Sequence, residues 1–180
     1  MLLPMLEQSA RAAADSMRKC LLILAGLCSS VSSAQNGEYE RMLEALEVSS
    51  HGRVLIFAPT IFDINLANSI RQTYLDRVRN TKVKLVTIQY YNYLAKSTIL
   101  SLAVINVPIY EVQTPAGDGI IIIDNQGWKG RNLGKVPNLN MERMSVQEIN
   151  NMLLWFNKAT GKNTRITQYE ALDRLKQVLK

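Results

Sequence analysis

The sequence predicts an α/β domain: a mixed, mostly parallel sheet flanked by helices, with two helices at its C-terminus. Three observations carry that prediction. A strand pattern, a helix pattern and a second strand pattern follow one another between Arg53 and Ile88. Ile120 to Ile123 form a run of four isoleucines without alternation, as expected of a strand buried on both faces. Two S/T-x-x-E signatures, at Ser145 and Thr167, each precede an apolar repeat of helical period. At 180 residues, with 47% hydrophobic and 20% charged residues, the chain can build one domain with a sizeable core.

The N-terminus reads as an address. Residues 1–16 form a weak amphipathic pattern. Met17-Arg18-Lys19 is a basic start, Cys20 to Cys28 an apolar run too short to span a bilayer, and Ser32-Ser33-Ala34 fits the small-x-small rule. A secretory signal cleaved after Ala34 is expected. It leaves residues 35–180 as a periplasmic or secreted bacterial domain with no stable transmembrane anchor. Three alternatives stay open: a buried hydrophobic helix, a start at Met17, and lipidation of Cys28, which bulky Leu27 disfavours.

The elements follow in order. Tyr39, Met42, Leu43, Leu46 and Val48 give Glu38 to Val48 an apolar helical face, and Ser49 to Gly52 break it. Arg53 to Ala58 is an apolar strand stopped by Pro59. Asp63 is placed to cap a helix over Ile64 to Arg79, and Lys82 to Ile88 is the next strand. Together they make a βαβ unit, which predicts parallel strands in a right-handed crossover. Gln89 to Asn92 reads as a polar, aromatic loop. Tyr90, Tyr91 and Tyr93 there either stack on a base or sugar or half-bury at a strand end. A helix follows from Lys96 or Ser97 to Ile105, closed by Asn106 as a left-handed cap. Pro108 to Gln113 is a strand, and a turn through Pro115, Gly117 and Gly119 leads to the isoleucine run. Helices then follow each capping signature, the first ended by Gly161. Met141, Met144 and Met152 read as core filling.

Candidate chemistry gathers around Asp124. It ends the apolar strand and precedes a Gly-rich loop, in which Gly127, Gly130 and Gly134 surround Trp128, Lys129, Arg131 and Asn132, with Lys135 beyond. A carboxylate at the end of a buried strand, beside a basic loop, is a common site position in α/β domains. Trp128, Lys129, Arg131, Asn132 and Lys135 form the candidate phosphate or nucleic-acid contact, against a plain solvated loop as the alternative. The net charge is +6. Much else is excluded. His51 is the only histidine, and Cys20 and Cys28 are the only cysteines. There is no P-loop, no G-x-G-x-x-G after a strand and no G-x-S-x-G elbow, so no cofactor is expected. Asp118 and Asp124 lack a third ligand, so no metal site is expected either.

From Arg53 to Gly134 the order strand, helix, strand, helix, strand, strand, Gly-rich loop resembles one half of the phospholipase D superfamily, in particular its compact secreted endonucleases. The stretch NVPIYEV resembles the family's strand that leads into its catalytic strand. That family carries H-x-K-x4-D and then G-S-x-x-N. With Asp124 on the motif's aspartate, Gly117 stands at the histidine, Gly119 at the lysine, and Gly130-Arg131 near the G-S pair. The resemblance implies that two such motifs meet across a dimer or an internal repeat. One histidine attacks phosphorus, the other protonates the leaving oxygen, and the lysines hold phosphate. Glycine does none of this. The resemblance therefore implies a non-catalytic domain that acts by binding a protein partner or a second copy of itself, as an accessory to a bacterial conjugative-transfer or secretion apparatus. Two alternatives stay open: a basic nucleic-acid-binding module, and an active phosphodiesterase or nuclease with an unrecognised site such as Asp124, Lys129 and Arg131.

Overall fold

Runs of apolar residues without alternation become the middle of one sheet. The structure is a computed structural model that describes residues 37–137, 140–163 and 165–179. The expected signal segment, residues 1–34, lies outside the described residues. Six strands are present: β1 (Arg53–Phe57), β2 (Lys82–Ile88), β3 (Ile109–Val112), β4 (Gly119–Ile123), β5 (Gln126–Gly130) and β6 (Glu142–Arg143). Their order is β3-β2-β1-β4-β5-β6. β1, β2 and β3 run parallel, while β4, β5 and β6 each pair antiparallel with the preceding neighbour in that order.

The mixed, helix-flanked sheet matches the expected class, with the parallel part confined to β1–β3. The connection lengths explain this. Parallel neighbours need a crossover, and helices fill the β1–β2 and β2–β3 connections. Only Asp124 and Asn125 join β4 to β5, so that pair must reverse. β4 lies between β1 and β5, and β2 lies one strand beyond β1.

The isoleucine run is buried on both faces, as its lack of alternation implies. Ile121 and Ile123 enter a core formed with helix α1 (37–48), α2 (Ile64–Leu75), α4 (Ile99–Val104) and α6 (Gln168–Val178). Ile122 and half-buried Ile120 enter a second core beneath α5 (Val146–Lys162), with Phe57, Val86 and Phe156. Met141 joins the first core; Met144 and Met152 pack on the second, as core filling.

Several boundaries differ from the expectation, each for a local reason. α2 ends at Leu75 and not at Arg79. The Asp76 carboxylate accepts the backbone N–H groups of Val78 and Arg79, at 3.0 and 3.2 Å, and so competes with helical bonding. Gln89–Asn92 is a short helix, α3, in place of the expected loop. α5 runs past Gly161 to Lys162, where Asn163 closes it by donating both backbone N–H and Nδ2 to the Ala159 carbonyl. Ser145 and Glu148 form a complete capping box. At α6 only half of the second box exists: Thr167 accepts the Glu170 N–H, but the Glu170 carboxylate pairs with Arg174. Asp63 caps α2 and Asn106 is left-handed at φ +73°, both as expected.

Candidate functional site

The C-terminal ends of β1, β2 and β3 lie at the same end of the sheet as the N-terminal end of β4, because β4 pairs Phe57 with Ile120. Gly119 sits there, opposite Gly130 of β5. A Cβ on Gly119 would fall 2.7 Å from Leu133 Cβ and 3.0 Å from the Leu133 carbonyl oxygen. Leu133 is buried, and its backbone N–H donates to the Gly130 carbonyl. The next residue, Gly134, has φ +87° and accepts the N–H groups of Phe62 and Asp63. Its own Cβ would meet the Thr60 carbonyl at 2.6 Å, so only glycine lets this turn close over the end of β1. The turn thus presses Leu133 into the space beside Gly119. Gly117, by contrast, has no atom within 4 Å of a would-be Cβ.

Asp124 lies at the other end of β4. Five strand residues separate it from Asp118, about 20 Å of chain at the usual rise per residue, so those two carboxylates do not face a common ion. Asp124 is left-handed at φ +54°. Its carboxylate accepts the Arg53 backbone N–H at 2.9 Å and the Ser49 hydroxyl at 3.4 Å. Gly52 passes so close that a Cβ there would fall 1.9 Å from Asp124 Oδ1. Asp124 therefore clamps the β4–β5 turn onto the start of β1.

The expected Gly-rich loop needs correction. Its first half is strand β5, held by pairing with both β4 and β6. Trp128 is fully buried, and its Nε1–H donates to Glu38 at 3.1 Å, so its ring offers no face to a base. Lys129 is held by Glu148 at 2.8 Å and Glu142 at 3.7 Å. The Lys129 ammonium, with the Ser145 N–H and hydroxyl, draws the Glu148 carboxyl down to about 2, and Glu148 in turn raises Lys129. Arg131, Asn132 and Lys135 lie in the turn after β5; Arg131 and Lys135 are exposed, and no described carboxylate pairs with either. A hollow of about 430 Å³ brings Asp118, Lys129, Gly130 and Arg131 together with Asn140 and Glu142. Asp124 and Trp128 are not part of it. Among the described residues no group of three or more His, Cys, Asp or Glu could hold a metal ion. No helix among them is long and apolar enough to cross a membrane.

No protein-family model and no curated protein sequence matches the chain. Solved structures do match it. Nuc from Salmonella typhimurium, a phospholipase D family member, superposes with a TM-score of 0.55 at 17% identity, over 69% of this chain and 88% of its own. The fold is phospholipase D-like. TrmBL2, an archaeal chromatin protein with a novel mode of DNA binding, superposes with a TM-score of 0.50 at 13% identity, over 89% of this chain and 65% of its own.

On this phospholipase D-like fold two features escape the sequence reading. Leu133 carries no signal as a site residue, because an apolar residue in a Gly-rich segment reads as loop. A larger cleft of about 650 Å³ at the β3 edge is lined by residues from α5 and from the segment before α6. Its lysines, Lys158 and Lys162, carry no local motif that would single them out in sequence.

Proposed function

We propose that this chain is an exported, non-catalytic phospholipase D-like domain that works by binding, as an accessory of a bacterial conjugative-transfer or secretion apparatus. The observation that carries the non-catalytic reading is the contact between Gly119 and Leu133. With Asp124 laid on the family's aspartate, Gly119 occupies the lysine position, and the first atom of any side chain there would overlap Leu133. The space for a phosphate-holding cation has been given to the core. Gly117, at the histidine position, leaves no nucleophile, and His51 lies in the turn before β1, at the Asp124 end of the sheet. Export rests on the order of basic start, apolar run and Ser32-Ser33-Ala34. The partner is a protein or a second copy of the chain.

A second reading, a nucleic-acid-binding module, is favoured by exposed Arg131 and Lys135 at the β5 end and by the DNA-binding character of TrmBL2. Assays on DNA and on phospholipid, each with magnesium and with EDTA, test the first reading. The expected result is no turnover above buffer in any arm. DNA cleavage that is lost on Arg131→Ala or Asp118→Asn would overturn it. Under the second reading the protein retards DNA at low salt, and Arg131→Ala with Lys135→Ala weakens retardation without changing the melting temperature.

A further inference from the structure

The cleft of about 650 Å³ lies at the same end of the sheet as Gly119 but at the β3 edge, three strands away from β4. Gln89 enters it directly after β2, and Gln113 and Thr114 directly after β3. It therefore sits beside the carboxyl ends of the parallel strands β2 and β3. Its wall on α5 carries Trp155, Lys158 and Lys162. β3 and β5 are four strand spacings apart, about 19 Å, so this cleft is separate from the Gly119–Arg131 region.

We propose that this cleft binds a phosphate-bearing ligand of nucleotide size, either free or as one unit of a single strand. The charge balance carries the argument. Lys158 and Lys162 are four residues apart on one helix, so they stand on the same wall. Both are exposed, and no described carboxylate pairs with either. Lys162 also offsets the C-terminal end of the α5 dipole, but Lys158 lies a turn earlier and has no such role. Arg165 adds a third cation, anchored on the Asn106 carbonyl at 2.6 Å. The two carboxylates in the cleft, Glu111 and Glu170, are both already paired with Arg174. The unpaired charge is thus positive.

Size and aromatic content agree with that ligand class. The volume falls within the roughly 300–1,000 Å³ usual for small-molecule sites. Trp155 is braced edge-on by Phe57 at 5.3 Å and by Phe156 at 5.2 Å, so it presents a fixed aromatic surface. Gln89, Gln113 and Thr114 supply neutral hydrogen-bonding groups. Loss of catalysis at Gly119 is not a premise of this assignment.

The two tryptophans make the test specific. Trp155 lines the cleft, whereas Trp128 is buried in β5, near Arg131. Indole N–H resonances are followed while the protein is titrated with inorganic phosphate, adenosine monophosphate or a short oligothymidine. The expected result is a saturable shift of the Trp155 indole with the nucleotide, the oligonucleotide or both, and an unmoved Trp128 indole. A shift with the nucleotide alone assigns a free ligand, and a shift with the oligonucleotide alone assigns a strand. Lys158→Ala with Lys162→Ala should abolish the nucleotide shift, or lower the log–log salt slope of strand binding by about 1.4. Both lysines are exposed and alanine favours helix, so the melting temperature should hold. No Trp155 shift up to millimolar nucleotide and oligonucleotide, or a shift unchanged by the double substitution, overturns the proposal.

Discussion

Gly117 and Gly119 are two residues apart, and alanine at each should change stability with opposite sign. Neither has positive φ among the described glycines, so alanine is allowed at both by the backbone. In the unfolded chain each substitution removes conformational freedom, which stabilises the fold by about 0.4–1 kcal/mol. At Gly117 the new methyl meets open space, so the whole gain should appear. At Gly119 it would lie 2.7 Å from Leu133 Cβ and 3.0 Å from the Leu133 carbonyl. Neither atom is the free end of a side chain, so the turn itself must move. Overpacking of this kind costs about 1–3 kcal/mol. The net expectation for Gly119→Ala is a loss of about 1–2 kcal/mol, and more for Gly119→Lys. Urea denaturation of the two alanine variants at neutral pH reads the difference. If Gly119→Ala is as stable as Gly117→Ala, Leu133 does not fill the lysine position, and the main support for a non-catalytic domain is gone.

Two further outcomes follow from the clamp and from the ion pair. Asp124→Ala should cost about 1.5–3 kcal/mol through the lost charge-assisted bond to Arg53, and it also leaves alanine at φ +54°. Asp124→Gly relieves that backbone and should be milder by about 1 kcal/mol; equal losses in urea midpoints would remove the backbone part of the argument. Glu148 is depressed from 4.5 to about 2 by the Lys129 ammonium and by Ser145. Its contribution is complete above pH 4.5 and fades as pH falls through about 2. The stability gap between the native protein and Glu148→Gln should therefore be flat from pH 7 to about 5 and close towards pH 2. A gap independent of pH would contradict the pairing.

The fold was legible because its signals are local. The isoleucine run, the caps at Asp63 and Ser145 and the left-handed Asn106 each act within a few residues of themselves. The sheet's antiparallel half was less so: Trp128 and Lys129 sit among glycines, and glycine density reads as loop. Their strand character comes from partners distant in sequence, namely β4, Glu38 and Glu148. The candidate site is the least legible part, because a sequence shows a charge but not the group that it faces. Lys129 reads as a candidate contact and is held by two carboxylates, while nothing local to Lys158 and Lys162 shows that they share a cleft wall.

The uncompensated positive charge stands in two places. Beside Gly119, β5 uses Lys129 to fix α5, leaving Arg131 and Lys135 in the adjoining turn without described carboxylate partners. At the β3 edge Arg174 takes up both carboxylates and leaves Lys158 and Lys162 uncompensated. Both features stand at one end of the sheet, on either side of the β1 terminus that Gly134 covers. A strand that engaged both would have to cross about 19 Å, a span of several nucleotides. Oligothymidines of increasing length distinguish the cases. If both features act on one strand, affinity rises steeply until that span is covered, and Arg131→Ala removes the rise while leaving the Trp155 shift. If the β3 cleft acts alone, affinity is flat beyond one or two nucleotides and Arg131→Ala changes nothing.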